Sequence, residues 1–172
     1  EKFRDPDLLV SAETGSGKTV AYGINVMSNL LNNEFIYPES TNVLALVIAP
    51  TRELALQIKN ELTWLYEKVD ARIASCVGGM DMRSERINLK KKPHIIVGTP
   101  GRLRDHIERS SLNINKIKAI VLDEADEMLD LGFREDLEYI LQASPNDRRT
   151  LMFSATIPDN ITKLSSKYLS NP

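Results

Sequence analysis

Apolar positions along the 172-residue chain fall into short solid runs that alternate with stretches of helical spacing. Leu8 to Ser11 reads as a buried strand. From Lys18 to Asn33 the apolar residues Val20, Ile24, Met27 and Leu31 recur at helical intervals and predict a first helix. Asn32 to Asn42, with Pro38, Glu39 and Ser40, has no apolar period and reads as an exposed loop. Val43 to Ala49 is apolar at every position and stops at Pro50, the pattern of a strand covered on both faces. Thr51 stands where it can cap a helix whose Leu54, Ile58, Leu62 and Leu65 form one stripe. Ala71 to Val77 predicts a third strand closed by Gly78-Gly79, Met80 to Lys92 a helix, His94 to Gly98 a fourth strand, and Arg102 to Ser110 a short helix. Ile117 to Leu122 predicts a fifth strand ending at Asp123, and Phe133 to Ala143 a helix. Thr150 to Phe153 predicts a sixth strand ending at Ser154, and Pro158 to Leu169 a last helix with Pro158 at a tolerated early position.

Repeated strand–helix units with solid apolar strands predict an α/β fold, a single domain with a parallel β-sheet flanked by helices on both faces. Ligands of such sheets bind beyond the carboxyl ends of the strands. The residues just after each strand should therefore gather along one edge: Ala12 to Thr19, Pro50 to Arg52, Gly78-Gly79, Thr99 to Arg102, Asp123 to Asp126 and Ser154 to Thr156.

Composition narrows the picture only a little. The length suits one domain with a proper core, and 42% apolar and 27% charged residues are ordinary for a globular protein. Apolar runs are strand-length and the first residues, Glu1-Lys2-Phe3-Arg4-Asp5, are charged, so neither a membrane span nor a signal peptide is expected. One cysteine, Cys76, excludes an internal disulfide, leaves no cysteine-based metal site, and suits a reducing cytoplasm or nucleus. A net charge of −2 gives no bulk attraction to nucleic acid, so any such case must come from local motifs.

Two stretches carry chemistry. Ala12-Glu13-Thr14-Gly15-Ser16-Gly17-Lys18-Thr19 lies between a strand and a helix. Without bulky side chains its N–H groups can converge on phosphate oxygens at a helix N-terminus, where negative charge is favoured. Lys18 adds a positive charge for the outer phosphates, and the Thr19 hydroxyl can ligate Mg²⁺. Ala12 fills the place of the first glycine of the usual pattern. Opposite it, Ile120-Val121-Leu122 delivers Asp123-Glu124-Ala125-Asp126. A nucleotide hydrolase needs one carboxylate for Mg²⁺ and another for the attacking water, and Asp123 and Glu124 take these roles. Asp126 stands too far along to share the metal and is expected to hydrogen-bond another loop.

These blocks, in their order, resemble the first (N-terminal) RecA-like lobe of DEAD-box ATP-dependent RNA helicases, and the resemblance runs from Asp7 to Pro172. It is carried by AETGSGKT at Ala12 to Thr19, PTRELA at Pro50 to Ala55, Gly78-Gly79, TPGR at Thr99 to Arg102, DEAD at Asp123 to Asp126, and SAT at Ser154 to Thr156. The resemblance implies a RecA-like P-loop fold, ATP and Mg²⁺ as cofactors, and hydrolysis served by Lys18, Asp123 and Glu124. It implies that Ser154 and Thr156 link the ATP site to RNA-driven closure, with Asp126 as their partner. Pro50-Thr51-Arg52, Gly78-Gly79 and Thr99-Pro100-Gly101-Arg102 would hold one RNA strand. Arginine forks and glycine N–H groups suit backbone phosphates without reading bases, so the contact would be sequence-independent and weaken with salt.

Glu13 replaces a glutamine common at that place in the family. The family's upstream adenine-recognition glutamine and its second RecA-like lobe do not stand in this sequence, so the chain reads as one lobe of a longer protein. Two rivals remain from the sequence: a translocase of a neighbouring helicase group, disfavoured by Asp126 where some relatives have histidine, and a non-catalytic RNA clamp, disfavoured by intact Lys18, Asp123 and Glu124. Other residues take plain roles: Cys76 in the core, Trp64 and Tyr66 as packing groups, and Lys90-Lys91-Lys92 as a solvated helix end. His94 and His106 lack metal-ligand spacing, and Glu135, Asp136 and Glu138 are expected to face water on a helix that also bears Phe133, Leu137 and Leu141.

Overall fold

The computed structural model describes residues 6–13, 17–30, 42–170 and 172. Most of the predicted loop from Asn32, together with Thr14, Gly15 and Ser16 of the phosphate loop, lies outside the described residues. The strands are β1 (Leu8–Ser11), β2 (Ala45–Ile48), β3 (Ile73–Cys76), β4 (Ile95–Gly98), β5 (Ala119–Leu122) and β6 (Arg149–Ser154). The helices are α1 (Lys18–Leu30), α2 (Arg52–Leu65), α3 (Met82–Lys90), α4 (Pro100–Glu108), α5 (Ala125–Asp130), α6 (Arg134–Ala143) and α7 (Asp159–Tyr168), with a short 3-10 turn at Glu67–Val69. The six strands form one sheet in the order β1-β6-β5-β2-β4-β3, and every neighbouring pair is parallel.

Alternation along the central strands β2, β4 and β5 explains why they carry no polar side chain, whereas β1 and β3, at the two edges of the sheet, are only partly buried, which corrects the expectation of a fully buried first strand. Leu46, Ile48, Ile96, Ile120, Leu122 and Met152 point into a core closed by α3 to α7. Their neighbours Ala45, Val47, Ile95, Val97, Ala119, Val121 and Leu151 point the other way, under α1 and α2. A strand buried on both faces has no polar side to show. At the end of β4 the layers close tightly: a β-carbon on Gly98 would collide with the Cys76 carbonyl oxygen and stand 2.9 Å from Leu103.

Helix α1 corrects the predicted stripe. Its buried face is Tyr22, Val26 and Leu30, while Val20 and Ile24 are 38% and 53% exposed. Tyr22 looks half-polar in the sequence, yet its ring is wholly buried because its hydroxyl has a partner inside. Gly23 lets α1 approach α2 closely, and the Tyr66 hydroxyl donates to the Gly23 carbonyl at 2.6 Å. Thr51 caps α2 as expected, accepting from the Leu54 N–H at 3.2 Å. Helix α4 begins two residues earlier than predicted, with Pro100 in its first turn, where a missing N–H costs nothing. Helix α5 leaves no pattern in the sequence: six residues beginning inside the acidic block are too short to show a period, and only burial of Ala125, Met128 and Leu129 reveals its inner face.

Candidate functional site

Because all strands are parallel, their carboxyl ends share one edge, and the strand order divides that edge into two halves. Strands β1, β6 and β5 are neighbours and are followed by Ala12 to Thr19, Ser154 to Thr156 and Asp123 to Asp126. Strands β2, β4 and β3 are neighbours and are followed by Pro50 to Arg52, Thr99 to Arg102 and Gly78-Gly79. The predicted phosphate residues are thus sorted from the predicted RNA residues.

On the first half, Gly17 turns the chain into α1 with φ +79°, in the left-handed region that favours glycine. Ala12 continues the β1–β6 ladder into the loop, its N–H donating to the Ser154 carbonyl at 3.0 Å. Lys18, buried at the start of α1, places its Nζ 3.4 Å from Asp123 Oδ1 and 3.5 Å from the Ala12 carbonyl. One helical turn on, the Tyr22 hydroxyl donates to Asp123 Oδ2 at 3.2 Å and is also hydrogen-bonded by the Thr19 side chain. Tyr22 packs against Phe153 with ring centroids 5.3 Å apart. Tyr22 therefore joins the two predicted Mg²⁺ ligands. It was not among the predicted site residues, although its place four residues after Lys18 puts both on one helix face.

Burial pushes the Asp123 carboxyl up from its ordinary value, and the Lys18 charge and the Tyr22 hydrogen bond only partly pull it back. Asp123 Oδ1 is buried and accepts no well-formed hydrogen bond among the described residues. A desolvated carboxylate oxygen, with a threonine hydroxyl linked to the same carboxylate through Tyr22, is the donor chemistry that a hard divalent cation such as Mg²⁺ takes. Between the ordinary and the raised value the folded chain holds a proton that the unfolded chain has released, so Asp123 costs stability as pH rises through that window. The Asp123→Asn chain is expected to melt at a higher temperature than wild type at pH 7, and the gap should close as pH falls toward the ordinary carboxylate range. Thermal denaturation across pH measures this; an equal or lower melting temperature at pH 7 would mean that pairing with Lys18 outweighs burial.

Glu124 adopts φ 54° and ψ 54° between β5 and α5. A non-glycine residue there is strained by roughly 1–3 kcal/mol, a feature concentrated at functional sites. The left-handed residue ends β5 and starts α5 without a connecting loop, which keeps Glu124 at the rim. Asp126, in the first turn of α5, donates its N–H to Ser154 Oγ at 3.2 Å. Its Oδ2 accepts from the Thr156 N–H at 2.9 Å and the Thr156 hydroxyl at 2.8 Å, and Ser154 Oγ donates to the Thr156 carbonyl at 2.7 Å. Burial raises the Asp126 carboxyl, but the Thr156 and Ser154 hydrogen bonds outweigh it and hold the group below its ordinary value. The predicted partnership between Asp126 and the Ser154–Thr156 loop is present in the structure.

The second half of the rim is also cross-linked. The Gly78 N–H donates to Thr99 Oγ1 at 3.4 Å, the Thr99 N–H to the Cys76 carbonyl at 3.1 Å, and Gly79 turns at φ +76°. Arg52 is exposed; its Nη2 reaches Met80 Sδ at 3.2 Å, and its Nη1 lies 3.0 Å from where a Gly79 β-carbon would stand. Pro50 is buried, whereas Thr51 and Gly101 are half-buried. Arg102 is mostly buried, its Nη1 3.1 Å from Glu85 Oε2.

Tyr66 is a core residue, but Trp64 is 68% exposed and packs no interior. Cys76 is buried as expected, and burial pushes its thiol up to about 12; the fold brings Glu85 and His106 beside it, which no sequence spacing indicated. His94 is buried, its Nδ1 accepting the Arg72 N–H at 3.0 Å, and burial pulls its pKa down. A cleft of about 490 Å³ lined by Asn115, Lys116, Lys118, Asp147 and Arg149 opens near the amino ends of β5 and β6, opposite the rim, and no predicted site residue lines it. Among the described residues no helix is long and apolar enough to cross a membrane.

Comparison with known proteins agrees with this geometry. Residues 2–164 match the DEAD/DEAH box helicase family. The DEAD-box ATP-dependent RNA helicase CshA of Bacillus licheniformis is 48% identical over 166 residues, covering 96% of this chain and 33% of the relative. The ATP-dependent RNA helicase CshA of Limosilactobacillus reuteri is 45% identical over 166 residues, covering 96% of this chain and 32% of the relative. The chain thus spans about a third of the length of these curated relatives. The crystal structure of a DEAD box protein from the hyperthermophile Methanococcus jannaschii superposes with a TM-score of 0.88 at 40% identity, over 97% of this chain and 44% of that one. With its RecA-like parallel sheet and its ordered motifs, the chain belongs to the DEAD/DEAH box helicase family.

Proposed function

We propose that this chain is the ATP-binding lobe of an ATP-dependent RNA helicase, residues 1–172 forming its first RecA-like domain. The lobe works with a second RecA-like lobe of the same polypeptide, and ATP-driven closure of the two opens short RNA duplexes or remodels RNA–protein complexes. The observation that carries this reading is the division of one sheet edge: a Lys18–Asp123 pair 3.4 Å apart on the β1-β6-β5 half, and three cross-linked glycine and arginine loops on the β2-β4-β3 half.

Each residue has a role in that reading. Lys18 is held near the Ala12 carbonyl and swings its charge onto the outer phosphates, which take the remaining N–H groups of the loop between Ala12 and Lys18, the Ala12 N–H being engaged by the Ser154 carbonyl. Thr19 and Asp123 hold Mg²⁺, which when bound neutralises phosphate charge. Glu124 orients and deprotonates the attacking water. Asp126, Ser154 and Thr156 form a hydrogen-bonded bridge between the β5 and β6 loops, so a displacement on one reaches the other. Thr51, Arg52, Gly78, Gly79, Thr99, Gly101 and Arg102 face the RNA backbone and their contacts read no bases, while Pro50 and Pro100, both buried, shape the turns that carry them.

A direct test compares ATP turnover, with and without single-stranded RNA, for residues 1–172 and for the intact polypeptide. RNA-stimulated turnover and duplex opening are expected from the intact polypeptide, and weak nucleotide binding with almost no unwinding from this lobe alone. Robust RNA-stimulated turnover by residues 1–172 would remove the need for a second lobe and overturn the closure mechanism.

A further inference from the structure

One buried carboxylate lies beneath the second half of the rim and belongs to none of the sequence blocks. Glu85, on α3, is only 4% exposed. Its Oε1 accepts the Val77 N–H at 2.8 Å, in the residue that leads into Gly78-Gly79. Its Oε2 accepts from Arg102 Nη1 at 3.1 Å and lies 2.7 Å from His106 Nε2. Arg102 and His106 stand four residues apart on α4 and present both groups from one helix face. His106 is itself fixed on its other side, with Nδ1 2.8 Å from Ser111 Oγ.

We propose that Glu85 is a positioning residue of the nucleic-acid rim: it ties the turn after β3 to the arginine of α4, so that the two loops meet an RNA backbone as one preorganised unit. The inference rests on the RNA-facing reading of this half. The chemistry is specific. A guanidinium carries its donors in a rigid fork, so a carboxylate on one Nη fixes the direction of the others. The same carboxylate fixes the backbone of the turn through the Val77 N–H. Without it, Arg102 would lose its orientation and Gly78-Gly79, whose glycines restrain nothing, would sample other conformations before binding, a cost taken from affinity. Arg102 thus contributes direction more than net charge, since Glu85 already balances it.

Cys76, Glu85 and His106 bring ligand atoms within 4.8 Å of one another, a spacing that a metal ion could use. The surroundings argue for the organic network. A cation there would stand against the Arg102 guanidinium and would displace the Val77 N–H and the imidazole from oxygens they already occupy.

The test measures ATP turnover of the intact polypeptide against single-stranded poly(U), for wild type, Glu85→Ala and Glu85→Gln. Glu85→Ala is expected to raise the poly(U) concentration for half-maximal stimulation about tenfold, the scale of one lost charge-assisted hydrogen bond, with the KM for ATP within about twofold of wild type. Glu85→Gln keeps the shape and an acceptor for Val77 but loses the charge facing Arg102, and should fall between, at about threefold. An unchanged half-saturation point in Glu85→Ala, or an equal rise in the KM for ATP, overturns the proposal. If Glu85→Ala does not fold, Glu85→Gln decides alone: no rise in half-saturation overturns it. Wild type without any RNA stimulation would instead reject the RNA-helicase reading itself, so the two failures are distinguishable.

Discussion

Glu124→Gln in the intact polypeptide is expected to lower RNA-stimulated ATP turnover by about 10³-fold, the range for loss of a positioned general base. ATP and RNA affinity should be preserved or tightened. The side chain is isosteric, and the left-handed backbone that sets Glu124 between β5 and α5 does not depend on its charge. The neighbouring Asp123, which faces Lys18 and Tyr22, is untouched. The variant should therefore accumulate with ATP and RNA bound. Single-turnover kinetics and filter retention of labelled RNA in the presence of ATP measure both halves of the statement. Unchanged turnover would remove Glu124 from its role.

Lys18→Ala should weaken ATP binding by about 10- to 100-fold, the value of a charge-assisted contact to phosphate in a sheltered site. Titration with a fluorescent ATP analogue measures it, and unchanged affinity would mean that the loop's N–H groups alone hold the phosphates. A second effect follows from burial. Asp123 already sits above its ordinary pKa because desolvation exceeds the help it receives. Removing the ammonium 3.4 Å away raises that value further, so the variant should lose stability at neutral pH and regain it on acidification as the carboxyl protonates. The coupling between nucleotide affinity and pH-dependent stability distinguishes a true Lys18–Asp123 pair from two residues that are merely near each other.

Much of the site was legible along the chain because its chemistry comes in short local pieces. A strand that breaks into glycine, lysine and threonine before a helix declares a phosphate loop wherever it occurs, and an apolar strand ending in Asp123-Glu124 declares its acidic counterpart. The central strands β2, β4 and β5 were also legible, since burial on both faces leaves an unbroken apolar run, while β1 and β3 at the edges and β6, which opens on Arg149-Thr150, were marked only by shorter apolar stretches. Helix faces were less so. In α1 the apparent stripe of Val20 and Ile24 is exposed, and the true inner face is led by Tyr22, whose polar atom is satisfied by Asp123, 101 residues away. Trp64 shows the converse: a large apolar residue at a plausible position that the fold leaves in water.

By itself the sequence determined the six strands, every described α-helix except α5, the single parallel sheet, and the residues that belong at its carboxyl edge, because each depends on periodicity or on a handful of adjacent residues. Only the tertiary structure decided the strand order β1-β6-β5-β2-β4-β3, which separates the phosphate loops from the arginine and glycine loops. It alone decided that Tyr22 joins Thr19 to Asp123, and that Glu85, His106 and Arg102 meet under Val77. The physical reason is common to all three. Strand order and buried polar pairing are settled by which surfaces cover one another and by the high cost of an unpartnered polar group in the interior. Neither leaves a periodic mark on a linear chain.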